Sequence, residues 1–203
     1  MRDKDSRDLG KEYSMKHSLG AKPLLMPNPV LIVGTYDKKG KPNLMNAAWG
    51  GICCSEPPCV ALGIRSERKT YSNMQETHAF TVNIPSMAQV KEADYVGIYS
   101  GKQQDKFSRT GLTAVPSALV NAPYVEEFPM LLECTIRKEI DLGTHVLVIG
   151  EIVDVKIDDV VRENDRPIIE QIKPMVFDFE SCTYYAVGDK VASAFSIGKE
   201  IGG

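Results

Sequence analysis

The chain has 203 residues, 43% of them hydrophobic and 25% charged, with a formal net charge of −3 at pH 7. A chain of this length and composition predicts one domain with a sizeable buried core. The mildly acidic balance argues against the basic face that nucleic acids and anionic membranes require, so we expect neither as a partner.

The chain shows no membrane segment, since no apolar run approaches the roughly 20 residues that a membrane helix needs. Residues 1–14 are too polar for a secretory signal, and we expect a cytoplasmic protein. Because these residues are charged and lack periodicity, they predict a flexible or non-native arm. The rest of the chain, 15–203, is predicted to form a single domain.

The first half of that domain is predicted to consist of short strands joined by turns. Apolar runs rich in β-branched residues, bounded by proline, glycine or charged turn residues, predict strands over 29–36, 41–49, 57–64 and 78–84. A short helix is predicted over 70–78, with Thr70 as its N-cap.

The second half adds helices and a long hairpin. Ser86 and Gln89 form a capping-box pattern that predicts a helix ending near Tyr99, and residues 105–111 predict a turn or a one-turn helix. Strands are predicted over 130–141, 144–158, 175–179 and 184–187, and the first two form a hairpin. In the strand 144–158, valine and isoleucine alternate with charged residues, which predicts that the charged face is wet. Strands that outnumber helices and join by turns favour a mainly β, antiparallel barrel over a doubly wound sheet.

A small-residue turn surrounds the single tryptophan, Trp49. Asn46, Ala47, Ala48 and the following glycines are small, so their backbone N–H and C=O groups can approach the edge of a flat ligand. Trp49 is suited to a ligand contact, to a subunit contact or to the core, and the residues alone leave all three open. Asn43 can donate and accept hydrogen bonds, although a turn residue is the simpler interpretation.

Two segments carry cations suited to a phosphate monoester. Arg65, Ser66, Arg68 and Lys69 precede the predicted helix start at Thr70, where free N–H groups and the positive end of the helix dipole favour an anion. The loop SGKQQDKF supplies Ser100, Gly101, Lys102 and Lys106, which could hold a phosphate or close over a ring. A solvated charge run is the alternative interpretation of each segment taken alone.

His145 stands at the start of an apolar strand. A structural histidine with one hydrogen bond is the simpler interpretation, and a donor to a ring carbonyl is the alternative. The five cysteines have no zinc or iron–sulfur spacing. Cys134 and Cys182 are interpreted as small buried hydrophobic residues. Cys53 and Cys54 leave open a redox-active pair.

Several segments together resemble the flavin reductase-like family of FMN-binding split barrels, and within it the flavoredoxins. They are NLMNAAW (43–49), SEPPCVALGIRSERKTYSN (55–73), FTVNIPS (80–86), SGKQQDKF (100–107) and GTHVLVIGEI (143–152). The resemblance extends over about residues 24–185. It implies an antiparallel Greek-key split β-barrel with a few short helices, and a homodimer that holds FMN, rather than FAD, at the subunit interface.

The resemblance also implies roles for individual residues. Asn43 and Trp49 line the FMN site, Thr70 meets the phosphate, Lys106 is the cationic loop contact, and His145 lies near the flavin. A late aromatic contact falls on Phe177 or Phe179. The predicted cofactor-binding residues are Asn43, Asn46, Ala47, Ala48, Trp49, Arg65, Ser66, Lys69, Thr70, Asn83, Ser100, Gly101, Lys106, His145 and Phe179.

These features predict an FMN-dependent oxidoreductase that passes electrons from NADH, NADPH or a protein donor to an acceptor, and a redox partner protein is an additional expected partner. No protein side chain is predicted to be catalytic and no metal is expected, because the flavin does the redox chemistry. An FMN-binding electron carrier with little NAD(P)H activity is the first alternative. A barrel without a cofactor, acting in structure or interaction, is the second.

Overall fold

The computed structural model describes residues 15–202, so the arm predicted over 1–14 lies outside the described residues. The strands are β1 (Asn28–Pro29), β2 (Leu31–Tyr36), β3 (Pro42–Ala47), β4 (Gly50–Ser55), β5 (Pro58–Ile64), β6 (Ala79–Ile84), β7 (Ala114–Pro116), β8 (Pro123–Val125), β9 (Met130–Asp141), β10 (Val146–Ile157), β11 (Arg162–Glu163), β12 (Arg166–Pro167), β13 (Met175–Asp178) and β14 (Thr183–Ala186). The helices are α1 (Lys69–Thr77), α2 (Val90–Ile98), α3 (Lys106–Thr110) and α4 (Ile169–Ile172), with 3-10 turns over Met87–Gln89, Asp159–Val161 and Ile197–Ile201.

The main sheet has seven strands in the order β3-β2-β6-β9-β10-β5-β4, and every neighbouring pair is antiparallel. The long hairpin of β9 and β10 forms its centre, as the two apolar runs joined by a glycine turn predicted. The mainly β, antiparallel prediction with a few short helices is confirmed. Among the described residues no helix has the length and apolarity to span a bilayer.

One face of this sheet encloses the main core. Its strands contribute alternate apolar side chains, since successive residues of a strand point to opposite faces. The cluster consists of Leu31, Val33, Ala47, Val60, Leu62, Ile64, Met74, Phe80, Val82, Leu132, Cys134, Val146 and Val148. A second cluster, which includes Val96 and Phe107, packs α2 and α3 against β2 and β3. Strand β3 contributes side chains to both clusters, and this packing positions the residues that lead to Trp49.

Capping residues mark the starts of two helical segments, and the start of α1 differs from the prediction. Ser86 and Gln89 form the predicted capping box, and Asp105 accepts a hydrogen bond from the Ser108 N–H at the start of α3. The prediction of Thr70 as an N-cap is wrong, because α1 begins one residue earlier and Arg68 holds the N-cap position.

The tryptophan turn is shorter than predicted, since β4 begins at Gly50 and pairs with β5 as an edge strand. Its six residues are mostly exposed and include both Cys53 and Cys54, so they lack the buried apolar pattern that marks a strand in the sequence. The chain therefore reverses over Ala48 and Trp49 alone.

Candidate functional site

A cleft of about 330 Å³ lies where the β3–β4 reversal, the end of β5, the start of β10 and the β13–β14 hairpin meet. Its lining is largely apolar and aromatic, with two arginines at one side. The lining residues are Met45, Asn46, Ala47, Ala48, Trp49, Gly63, Ile64, Arg65, Arg68, His145, Phe177, Phe179 and Cys182. Its volume lies in the range typical of small-molecule and cofactor sites.

Three aromatic side chains form one wall of the cleft. The ring centroids of Trp49 and His145 are 4.7 Å apart, and those of Trp49 and Phe179 are 5.9 Å apart. The Gly63 N–H donates to the Trp49 carbonyl at 2.8 Å, which ties the reversal to β5. His145 Nδ1 lies 2.9 Å from the Thr144 hydroxyl, and this contact sets the orientation of the imidazole. The wall is therefore built from three separate chain segments.

Asn46 anchors the opposite side of the cleft to α2. Its amide donates to the Ala93 carbonyl at 3.0 Å and lies 3.4 Å from the Tyr184 hydroxyl. That hydroxyl donates to the Asp94 carboxylate at 3.0 Å. Burial, and secondarily the Asp94 carboxylate, raise the pKa of Tyr184 to about 12, so the phenol remains a donor at neutral pH. The network holds Asn46 in place through side chains from two further elements.

The cationic side of the cleft coincides with the start of α1. Arg65 and Arg68 both line the cleft, and Arg68 is the N-cap of the helix. Within residues 15–202 no side chain caps the helix, and its first turn contains no acidic residue. The first N–H groups of α1 are thus left without a protein side-chain acceptor, and they lie beside two guanidinium groups, an arrangement that favours an anion.

A buried polar pair supports this helix start from behind. Asn43 Nδ2 donates to Thr70 Oγ1 at 3.0 Å, and both residues are buried. Gly101 packs directly on this pair, since a Cβ at Gly101 would overlap Asn43 Oδ1. Ser100, in the same loop, accepts a hydrogen bond from the Lys102 N–H. Asn43, Thr70, Ser100 and Gly101 therefore border the helix start without lining the cleft itself.

Four other predicted residues lie away from the cleft lining. Lys106 is 6% exposed, and its ammonium donates to the carbonyls of Leu44 and Val96 at 2.7 Å each. The prediction of Lys106 as a phosphate contact does not agree with this placement. Asn83 is fully buried in the middle of the sheet, where its side chain bonds to Ile32, Thr81 and Val125, so it does not present a group to the cleft. Lys69 points to Asp37, and Ser66 lies exposed before the helix.

The structure brings several residues to the cleft that were not in the predicted set: Met45, Gly63, Ile64, Arg68, Phe177 and Cys182. Arg68 carried a sequence signal, because it belongs to the cationic run before α1, but sequence could not tell which of the neighbouring cations faces the cleft. Cys182 is exposed with φ +52°, so its interpretation as a buried hydrophobic residue is wrong. Cys134 is buried, as predicted.

Among residues 15–202, histidine, cysteine and carboxylate side chains form no group of three or more that could hold a metal ion. The site thus offers an aromatic wall, small residues and a helix start whose charge favours an anion. Fold and site together define a split-barrel protein whose cleft has an aromatic wall and a cationic side.

The chain belongs to the flavin reductase-like family: residues 24–184 match the family model described as flavin reductase like domain. This confirms the family resemblance seen in the sequence.

Individual relatives agree with this assignment. Flavoredoxin of Desulfovibrio vulgaris (Miyazaki F) has a similar solved structure, with 50% sequence identity, a TM-score of 0.86, and coverage of 91% of this chain and 100% of that one. A Shewanella frigidimarina protein described as a flavin reductase with a split barrel domain is 28% identical, with a TM-score of 0.74 and coverage of 82% and 84%. An uncharacterized protein of Archaeoglobus fulgidus is 32% identical over 128 residues, 63% of this chain and 72% of its own length. The split-barrel prediction is confirmed.

Proposed function

We propose that residues 15–203 form a single FMN-binding domain that acts as an oxidoreductase, passing electrons from NADH, NADPH or a protein donor to an acceptor. One observation carries the proposal: the aromatic wall of Trp49, His145 and Phe179 and the uncapped start of α1 beside Arg68 border the same cleft. Family membership and the 50% identity to a flavoredoxin support it.

The residues present fit both parts of FMN. Ala47, Ala48 and Gly63 line the cleft with small side chains or none, which leaves room for the flavin ring to approach the backbone of the β3–β4 reversal. Arg65, Arg68 and the N–H groups of α1 suit the phosphate, because charge-assisted hydrogen bonds to anions are stronger than neutral ones. Asn43, Ser66, Lys69, Thr70, Ser100 and Gly101 are proposed to shape this phosphate end rather than all to touch it. When bound, FMN would supply the exchange of electrons between donor and acceptor.

His145 is proposed to act on the ring rather than on the phosphate. If Nδ1 accepts from the Thr144 hydroxyl, Nε2 carries the proton and is the ring atom free to donate into the cleft. A fixed donor of this kind stabilises negative charge that develops on a ligand ring. Trp49 packs against the imidazole and is itself in contact with Phe179, so the orientation of His145 does not depend on one hydrogen bond.

We further propose that the cleft lies at the interface of a homodimer. Ala48, Trp49 and Gly63 line the cleft and also a neighbouring apolar groove of about 580 Å³, which extends over β4 and the segment before β1. Ile52, on the free edge of the sheet, is 68% exposed. A second copy covering this groove would complete the cleft. Sedimentation equilibrium tests this point, and a monomer at all concentrations would contradict it.

The decisive experiment is the visible spectrum of the purified protein, followed by identification of the released flavin and by steady-state oxidation of NADH and NADPH. We expect a yellow protein that releases FMN and oxidises a pyridine nucleotide. A yellow protein with negligible turnover would favour the alternative of an electron carrier, to which the flavoredoxin similarity also points. A colourless protein that does not bind added FMN would refute the proposal.

A further inference from the structure

A second hollow, of about 400 Å³, lies beside the cleft on the other side of the α1 start. It is formed by the β2–β3 turn, one face of α1 and the loop after α2. Its lining residues are Asp37, Lys38, Lys39, Lys69, Ser72, Asn73, Glu76, Gly101 and Lys102. We call it the lysine hollow, because four of these residues are lysines. It has no part in the FMN contacts proposed above except through Lys69 and Gly101.

The carboxylates of the lysine hollow are engaged in building it. Asp37 accepts hydrogen bonds from the backbone N–H groups of Lys39 and Lys41, both at 2.9 Å, and lies 3.4 Å from Lys69 Nζ. These bonds, the one from Lys41 first, lower the pKa of Asp37. Glu76 accepts from the Lys38 N–H at 2.9 Å. Both acids therefore order the turn that carries Lys38 and Lys39, and of the four lysines of the hollow only Lys69 is paired with a carboxylate, that of Asp37, within the described part of the chain.

The ammonium groups of Lys38, Lys39 and Lys102 form no ion pair within the described part of the chain. All three residues are exposed and converge on the same concave surface. Three unpaired cations around a hollow create a positive potential that attracts a multiply charged anion. The concave shape suits a small ligand better than the flat contact of a protein partner.

The lysine hollow and the cleft are lined by neighbouring residues at the start of α1. Arg68 lines the cleft and Lys69 lines the lysine hollow, and consecutive Cα atoms are about 3.8 Å apart. A ligand with more than one phosphate could therefore contact both sides of the helix start at once.

We propose that the lysine hollow binds the phosphorylated adenosine half of a dinucleotide while the cleft holds the flavin. This inference rests on the proposed function, since it assigns the hollow to a nucleotide used at that site. Two dinucleotides carry the adenosine phosphate that this hollow would bind. One is a pyridine nucleotide, and the other is FAD.

The test uses the FMN-loaded protein and ADP as the probe, with binding followed by isothermal titration calorimetry. The double variant Lys38→Ala/Lys39→Ala and the single variant Lys102→Ala are compared with Lys190→Ala, an exposed lysine beside a different hollow. We expect ADP to bind, the affinity to fall with salt, and the double variant to bind at least about tenfold more weakly, since it loses two charge-assisted contacts. Lys190→Ala should bind as the wild type does.

Two further arms distinguish the sources. Tighter binding of NADP⁺ than of NAD⁺ to the FMN-loaded protein, lost in the double variant, assigns the hollow to the extra phosphate of NADPH. Tighter binding of FAD than of FMN to the flavin-free protein, lost in the same variant, assigns it to the adenylate of FAD. Either result supports the inference.

Absence of ADP binding to a protein that retains FMN overturns this inference and leaves the proposed function intact. Absence of FMN binding in the wild type overturns the proposed function itself, and the two failures are therefore distinguishable. If the lysine variants bind ADP normally but slow the reduction of an acidic ferredoxin, the surface is a protein-docking face and the inference is also overturned.

Discussion

The indole of Trp49 lies against the imidazole of His145, with ring centroids 4.7 Å apart and ring planes inclined by 43°. The contact joins the β3–β4 reversal to the start of β10, two segments that are about a hundred residues apart in sequence. Because Trp49 is the single tryptophan, its fluorescence reports on the cleft and on the apolar groove beside it. Flavin binding can therefore be followed by quenching of this emission.

Arg68→Ala is expected to weaken FMN binding more than Trp49→Phe does. The arginine substitution removes charge-assisted hydrogen bonds worth about 1.5–3 kcal/mol, whereas phenylalanine keeps an aromatic face on the ring. FMN titration followed by flavin fluorescence measures both variants, and Arg166→Ala, an exposed arginine on β12, serves as the control. The reverse order of affinities would contradict the placement of the phosphate at the α1 start.

Gly101→Ala is expected to destabilise the protein by about 1–3 kcal/mol and to weaken FMN binding. The new Cβ would overlap Asn43 Oδ1 and so displace the side chain that donates to Thr70 at the helix start. Gly188→Ala is the matched control, because its Cβ would meet nothing within 4 Å. Urea unfolding and FMN titration measure the two effects. Equal behaviour of the two variants would show that the Gly101 contact does not support the site.

Glu133→Ala is expected to cost about 1–3 kcal/mol of folding stability, since it leaves the Leu119 N–H without its acceptor. Glu133 is fully buried, accepts from the Leu119 N–H at 2.9 Å, and pairs with the Lys156 ammonium. Asp154→Ala is the control, because Asp154 pairs with the same lysine at a partly exposed position, where the cost should stay below about 1 kcal/mol. Thermal and urea unfolding check the ranking, and a larger loss in the Asp154 variant would contradict it.

Sequence predicted the elements well where burial imposes a clear period, as in β9, and less well where long-range contacts decide the outcome. The charged residues of β10 were expected to face water, but Asp154 and Lys156 turn toward Glu133 while Val153 and Val155 are exposed. A register shift between Ile152 and Asp154 accompanies this reversal, and a bulge of this kind leaves no signal in the alternation of residues.

The candidate site, like the fold, could be predicted from sequence only in part. The convergence of the tryptophan reversal with the cationic run could be predicted, because both carry residue types suited to one ligand. Sequence could not predict which cation faces the cleft. Arg68 and Lys69 are adjacent, and only the position at which α1 begins directs Arg68 to the cleft and Lys69 to the lysine hollow. Lys106 looked like a surface cation in its loop, and only the packed structure supplies the carbonyls of Leu44 and Val96 that enclose it.

The stability contributed by Lys106 is expected to rise with pH. Burial, aided by Arg68 and Lys69, lowers its pKa from 10.5 to about 8. Between these values the unfolded chain binds a proton that the folded protein does not, so the free energy of unfolding increases with pH across that window. Lys106→Met lacks this group, and its stability relative to the wild type should fall from pH 8 to pH 10. Urea unfolding measures the difference, with Lys190→Met as the exposed control. A difference that stays flat would show that Lys106 keeps its proton when folded.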